Sequence, residues 1–117
     1  MLSRLLVVLV CALLLLAYAS PVDDQAHQFE RVDGLAPLHG LHYDDKWEDH
    51  YMVLFNTDYS HDDHYAHLGK NLSYTENFIK LKCGYGAHLP DASLLTRIQA
   101  DAKVLSVEVD RMVTSYA

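Results

Sequence analysis

Two cysteines, three prolines, one tryptophan and nine basic residues are all that a chain of 117 residues supplies of those types. A single cysteine pair cannot build the multi-bridge framework that staples many small secreted domains. The nine bases face sixteen acids, giving a formal charge of −7. Nucleic acid and anionic membrane surfaces both repel such a chain, so neither is a fitting partner. No apolar run reaches the ~20 residues needed to span a bilayer. Catalytic signatures are lacking too: no GxSxG, P-loop, GxGxxG or HExxH occurs. Serines and histidines are present, but nothing in their spacing gathers them about a nucleophile. The chain reads as a non-enzyme that takes no cofactor.

What is present begins at the N-terminus. Leu5 to Ala17 is an unbroken apolar stretch, with Arg4 ahead of it and Ala17-Tyr18-Ala19 behind. A basic start, a short apolar core and a small-x-small exit describe a secretory signal peptide over residues 1–19, cut after Ala19. The expectation is therefore a secreted, extracellular protein. Removal of the signal takes Cys11 away and leaves Cys83 without a partner in the chain. Cys83 lies in a strand-like apolar stretch and reads as a buried, inert thiol. Asn71-Leu72-Ser73 is an N-glycosylation sequon, meaningful on a chain that enters the secretory path.

Two zones follow the signal. Residues 20–50 hold eight acids and two bases, with two prolines and two glycines and no sustained periodicity. They read as an acidic, largely irregular leader. Residues 51–117 are nearly balanced, with eight acids and six bases. Tyr51–Phe55 is a continuous apolar strand. Ser60 can cap a helix running to about Leu72, with Asp62 and Asp63 in its first turn and Tyr65, Leu68 and Leu72 on one face. Phe78–Cys83 alternates, Gly84-Tyr85-Gly86 turns into a strand ending at Leu89, and Pro90-Asp91 opens a helix that buries Leu94, Leu95 and Ile98. Val104–Asp110 alternates again, with Leu105, Val107 and Val109 facing in. The order predicts an α+β fold: a ferredoxin-like βαββαβ plait, with a four-stranded antiparallel sheet and two helices on one face. The first strand is apolar on both sides, so the face without helices is expected bare and ready for a partner.

Eight histidines raise the question of a metal. The densest group is His61, His64 and His67, which drift by ~60° per step around a helix and so cannot all meet one ion. A solvated polar helix face is the simpler reading, and no metal site is assigned.

Several stretches together resemble the subtilase propeptide and inhibitor family, especially the prosegments of fungal proteinase K-like proteases. They are Tyr51–Phe55 (YMVLF), Gly84–Leu89 (GYGAHL), Asp91–Asp101 (DASLLTRIQAD) and Val104–Asp110 (VLSVEVD). Ala36-Pro37-Leu38 has a counterpart upstream, and Met112–Ala117 is similar to the stretch before a protease maturation cut. Gly86 departs from the Ser or Ala that relatives often carry. The resemblance implies an inhibitor domain over residues 51–111 and an extended inhibitory tail over residues 112–117. It implies a partner, a subtilisin-like serine protease, docked on the open sheet face. Glu108 and Asp110 would cap N-termini of the protease's helices. Thr114, Ser115, Tyr116 and Ala117 would lie in its substrate cleft as a retained product. His88, on the outer face, would lend the interface a response to pH. A protease would continue beyond residue 117, so the expectation is a free-standing inhibitor. Two other readings stand beside it: a secreted binding module holding a metal or small ligand through the His-rich helix, and an orphaned prosegment that only chaperones folding.

Overall fold

The ladder begins at Lys46, ahead of the apolar block that marks its core. A computed structural model describes residues 27–112. Within them, β1 is Leu38–His39, β2 Lys46–Phe55, α1 His61–Leu68, β3 Ile79–Leu81, β4 Gly84–His88, α2 Ala92–Ala100 and β5 Val104–Arg111. Single 3-10 turns stand at His27–Phe29 and Leu72–Tyr74.

The fold is α+β, with a five-stranded mixed sheet in the order β1-β5-β2-β4-β3 and two helices. The strands from β2 onward pair antiparallel, while β1 runs parallel to β5 through Leu38↔Val107 and His39↔Glu108. The expectation of four strands is corrected here: among the described residues the sheet has five, and β5 lies inside it between β1 and β2. The cause is a backbone demand: the outer side of β5 would otherwise present unpaired N–H and C=O groups. Pro37, which cannot donate, supplies its carbonyl to the Val107 N–H at 2.9 Å.

Residues 27–50 are drawn onto the domain rather than trailing from it. Ala36 is buried, and it exchanges two bonds with Gln99: Ala36 N–H to the Gln99 carbonyl at 2.8 Å, and Gln99 Nε2 to the Ala36 carbonyl at 2.9 Å. The Arg31 guanidinium donates to the carbonyls of Val104, Gln99 and Gly34 at 2.8, 2.8 and 2.7 Å.

Both helices begin at the caps their sequences offer. Ser60 Oγ accepts the Asp63 N–H, and Asp91 accepts those of Ser93 and Leu94. Helix α1 stops at Leu68, earlier than Leu72, because Gly69 takes the left-handed conformation (φ 69°) that closes a helix. Leu72 still reaches the core, from the following 3-10 turn.

The helices share one side of the sheet. Leu68, Leu72, Leu94 and Ile98 close over Val53, Phe55, Tyr85, Ala87, Val104 and Val107. Alternation sends Met52 and Leu54 to the other side. Gly84 is required where β4 crosses β2, because a Cβ there would stand 1.8 Å from the Val53 carbonyl oxygen. A bulge corrects one inward assignment. Leu54 pairs with Ser106 but Phe55 with Val104, so Leu105 is the extra residue and packs with Met52 and Leu54.

Candidate functional site

The side of the sheet opposite the helices carries the residues of interest. In the ladder Met52 stands beside Glu108 and Leu54 beside Ser106, with Gly86 and Gly84 across on β4. Leu81, Cys83 and Leu105 complete an apolar patch around Met52 and Leu54. This patch was expected bare, and that is corrected. Met52 and Leu54 are 3% and 4% exposed, and Phe29 from the first 3-10 turn packs against them. Acidity and lack of periodicity hid this role, since a single aromatic in a polar segment carries no repeat to detect.

Glu108 is half-buried, and its Oε1 accepts the Tyr43 hydroxyl at 2.9 Å. Burial and then the Glu108 bond push the Tyr43 phenol above its ordinary pKa. Arg111 lies over the Tyr43 ring at 4.6 Å and donates through Nε to both oxygens of Asp45, at 2.9 and 3.1 Å. Asp110 is only 4% exposed, and its Oδ1 accepts the Arg111 N–H at 2.8 Å. The two acids are thus unequal: Glu108 is half-buried on the side away from the helices, while Asp110 is enclosed. A cavity of about 530 Å³ lies beside Glu108, lined also by Phe29, Leu38, Leu41, Tyr43 and Ser106.

His88 takes the outer side as expected. It pairs with His50 in the ladder, their ring centroids are 4.7 Å apart, and its Nδ1 lies 3.4 Å from Glu76 Oε2. His50 is itself stacked flat on Trp47 at 3.6 Å. His50 Nδ1–H donates to the Glu48 carbonyl at 2.8 Å, and Nε2 accepts the Asn77 amide at 2.9 Å.

The His-rich helix departs from the solvated face expected of it. His64 is fully buried: Nδ1–H donates to Asp101 Oδ2 at 2.8 Å, and Nε2 accepts the Tyr85 hydroxyl at 2.9 Å. Tyr59 donates to the same Asp101 oxygen at 2.5 Å. One nitrogen donates and one accepts, which fits the neutral ring. Burial holds the His64 pKa below its ordinary value, against the pull of Asp101. His61 Nε2 donates to the Gly84 carbonyl at 2.7 Å, and His67 is exposed. The missed signal was the i, i+4 spacing of His64 and Leu68, which puts both on the buried stripe. Nothing local could have supplied Asp101.

Asn71 is exposed, and its Oδ1 accepts the N–H and hydroxyl of Ser73 at 2.9 and 2.6 Å. Cys83, expected as an unpartnered thiol, is disulfide-bonded; the chain's other cysteine, Cys11, lies outside the described residues. The signal segment over residues 1–19 and the tail residues Thr114, Ser115, Tyr116 and Ala117 also lie outside them. Among the described residues no group of three His, Cys, Asp or Glu side chains is arranged to hold a metal ion. Nor does any described helix have the length and apolarity to cross a membrane. No family model and no curated protein matches this sequence.

Proposed function

We propose that the chain is a secreted inhibitor of a subtilisin-like serine protease of the proteinase K type. Strands β5, β2, β4 and β3 follow the order of a ferredoxin-like plait, to which β1 is an addition. The observation that carries the reading is the pairing of Met52 with Glu108. It sets an apolar stripe and a carboxylate side by side on the sheet face that neither helix covers, and on the strand that leads into the C-terminal tail.

Those parts suit two tasks. A carboxylate at a helix N-terminus meets unpaired N–H groups and the positive end of a dipole, so Glu108 is the group to cap a protease helix. Met112–Ala117 carries no charged side chain and no glycine or proline. Such a segment can add to the substrate cleft as a strand, main chain on main chain, with Ala117 in the specificity pocket and Thr114 further out. Anchoring by the sheet makes tail binding intramolecular and raises its local concentration. The same contacts would serve a folding chaperone, and refolding yields of the protease separate that role from inhibition.

The metal-module reading needs His64 as a ligand. Asp101 and Tyr85 engage both of its nitrogens, so it has no lone pair to give without dismantling the core. Titration against a proteinase K-like enzyme tests the inhibitor reading. Stoichiometric loss of activity is expected, and deletion of Thr114–Ala117 should weaken it about 100-fold or more with the fold intact. Full protease activity at a molar excess of the chain would overturn the proposal.

A further inference from the structure

The sheet face reserved for the protease is already closed by the chain itself, and the manner of closure sets its regulation. The closing segment is anchored in its middle through the backbone, and its flanks are held by side-chain contacts that include Arg111 over the Tyr43 ring. Arg31 and Ala36 fix the middle to Val104 and Gln99, and β1 pairs with β5. On one flank, Phe29 rests on Met52 and Leu54. On the other, Gly40–Tyr43 loops back so that Tyr43 reaches Glu108. His39 on β1 holds the first flank as well, its Nε2–H donating to the Gln28 carbonyl at 2.8 Å.

We infer that these flanks, Gln28–Phe29 and Gly40–Tyr43, are a displaceable cover that keeps the inhibitor latent until a protease takes the face. This rests on the inhibitor reading above. Two observations support a cover over permanent core. The flanks line an open groove of about 530 Å³ beside β5, so they do not pack fully against that strand. The groups the flanks occupy, Met52, Leu54 and Glu108, are those the protease would use. Partner and cover therefore compete, and apparent affinity falls by the fraction of molecules that are open.

The test uses Phe29→Ala and Tyr43→Phe in the otherwise intact chain. The second keeps the ring and deletes only the bond to Glu108, so it remains informative if the first fails to fold. Two readouts are needed: fluorescence of an apolar dye, which reports exposure of Met52 and Leu54, and the association rate with a proteinase K-like enzyme. A cover predicts several-fold more dye binding for Phe29→Ala, and association about 10-fold faster in both variants. Association that is unchanged or slower in both, with the fold retained, overturns it and marks the flanks as core. A chain that never inhibits yet gains dye binding in Phe29→Ala removes the protease reading and leaves the displaceable cover standing.

Discussion

His64 donates its Nδ1 proton to Asp101 across 2.8 Å, in a site where both side chains are all but inaccessible to water. The bond joins α1 to the residue that ends α2, thirty-seven positions away, and Tyr59 and Tyr85 complete the set. Every polar atom in it is satisfied, which makes it stabilising; half-satisfied it would be costly.

Stability should therefore fall in mild acid. Burial holds the folded His64 pKa below the ordinary 6.5. The unfolded chain takes a proton on this ring near that pH while the folded chain does not. The contribution is full above pH 6.5 and is lost as pH drops from there toward the folded pKa. Asp101 acts lower down. Burial works to raise its pKa, but bonds from Tyr59 and His64 outweigh it and hold the pKa below 3.8, so its share is lost in strong acid. Urea midpoints between pH 7.5 and 5 read the first window. His64→Ala should cost about 3 kcal/mol at pH 7.5 and flatten the slope. An equal slope in both proteins would assign the pH response elsewhere.

Glu108→Gln separates charge from hydrogen bonding. A glutamine oxygen still accepts the Tyr43 hydroxyl, so the melting temperature should barely move. Protease association should slow about 3- to 10-fold and lose much of its salt dependence. Stopped-flow rates at two ionic strengths measure both effects. Asp110→Asn probes a buried group instead and should act mainly on stability.

Gly86→Ser introduces a Cβ 2.7 Å from Met52 Sδ and 3.2 Å from Ile79 Cγ2. Met52 can swing only by leaving its place in the outer patch. The expected loss is about 1 kcal/mol, read as a lower denaturation midpoint, with the patch's dye binding raised. Gly84→Ser meets backbone rather than a flexible side chain, and should leave little folded protein.

If the signal is cut after Ala19, Cys11 departs and Cys83 loses the only other cysteine of its chain. N-terminal sequencing of secreted protein should begin at Ser20, and thiol titration of the denatured chain should find one thiol. A start at Met1 with no titratable thiol would mean that the segment is retained and bonded.

Much of the scaffold was legible because it is written in short repeats. Leu94 and Ile98 stand four apart behind an Asp91 cap, and Ile79 and Leu81 alternate along one side of β3, with Cys83 in the turn that follows. Each pattern needs only its own neighbours to be read. What failed to show involved partners distant in sequence or a change of phase. The bulge at Leu105 turned one residue over in an otherwise regular strand, and β1 is two residues long, too short for any period. The outer-face position of Glu108 was legible from alternation; its bond to Tyr43 was not.

Sequence alone determined the apolar core of β2, strands β4 and β5, and the two helices with their N-caps, because propensity and side-chain period act over a few residues. Only the tertiary structure decided that His64 is core and that Phe29 closes the apolar face. Burial is set by what the rest of the chain brings within contact distance, and that is a property of the whole fold rather than of any segment.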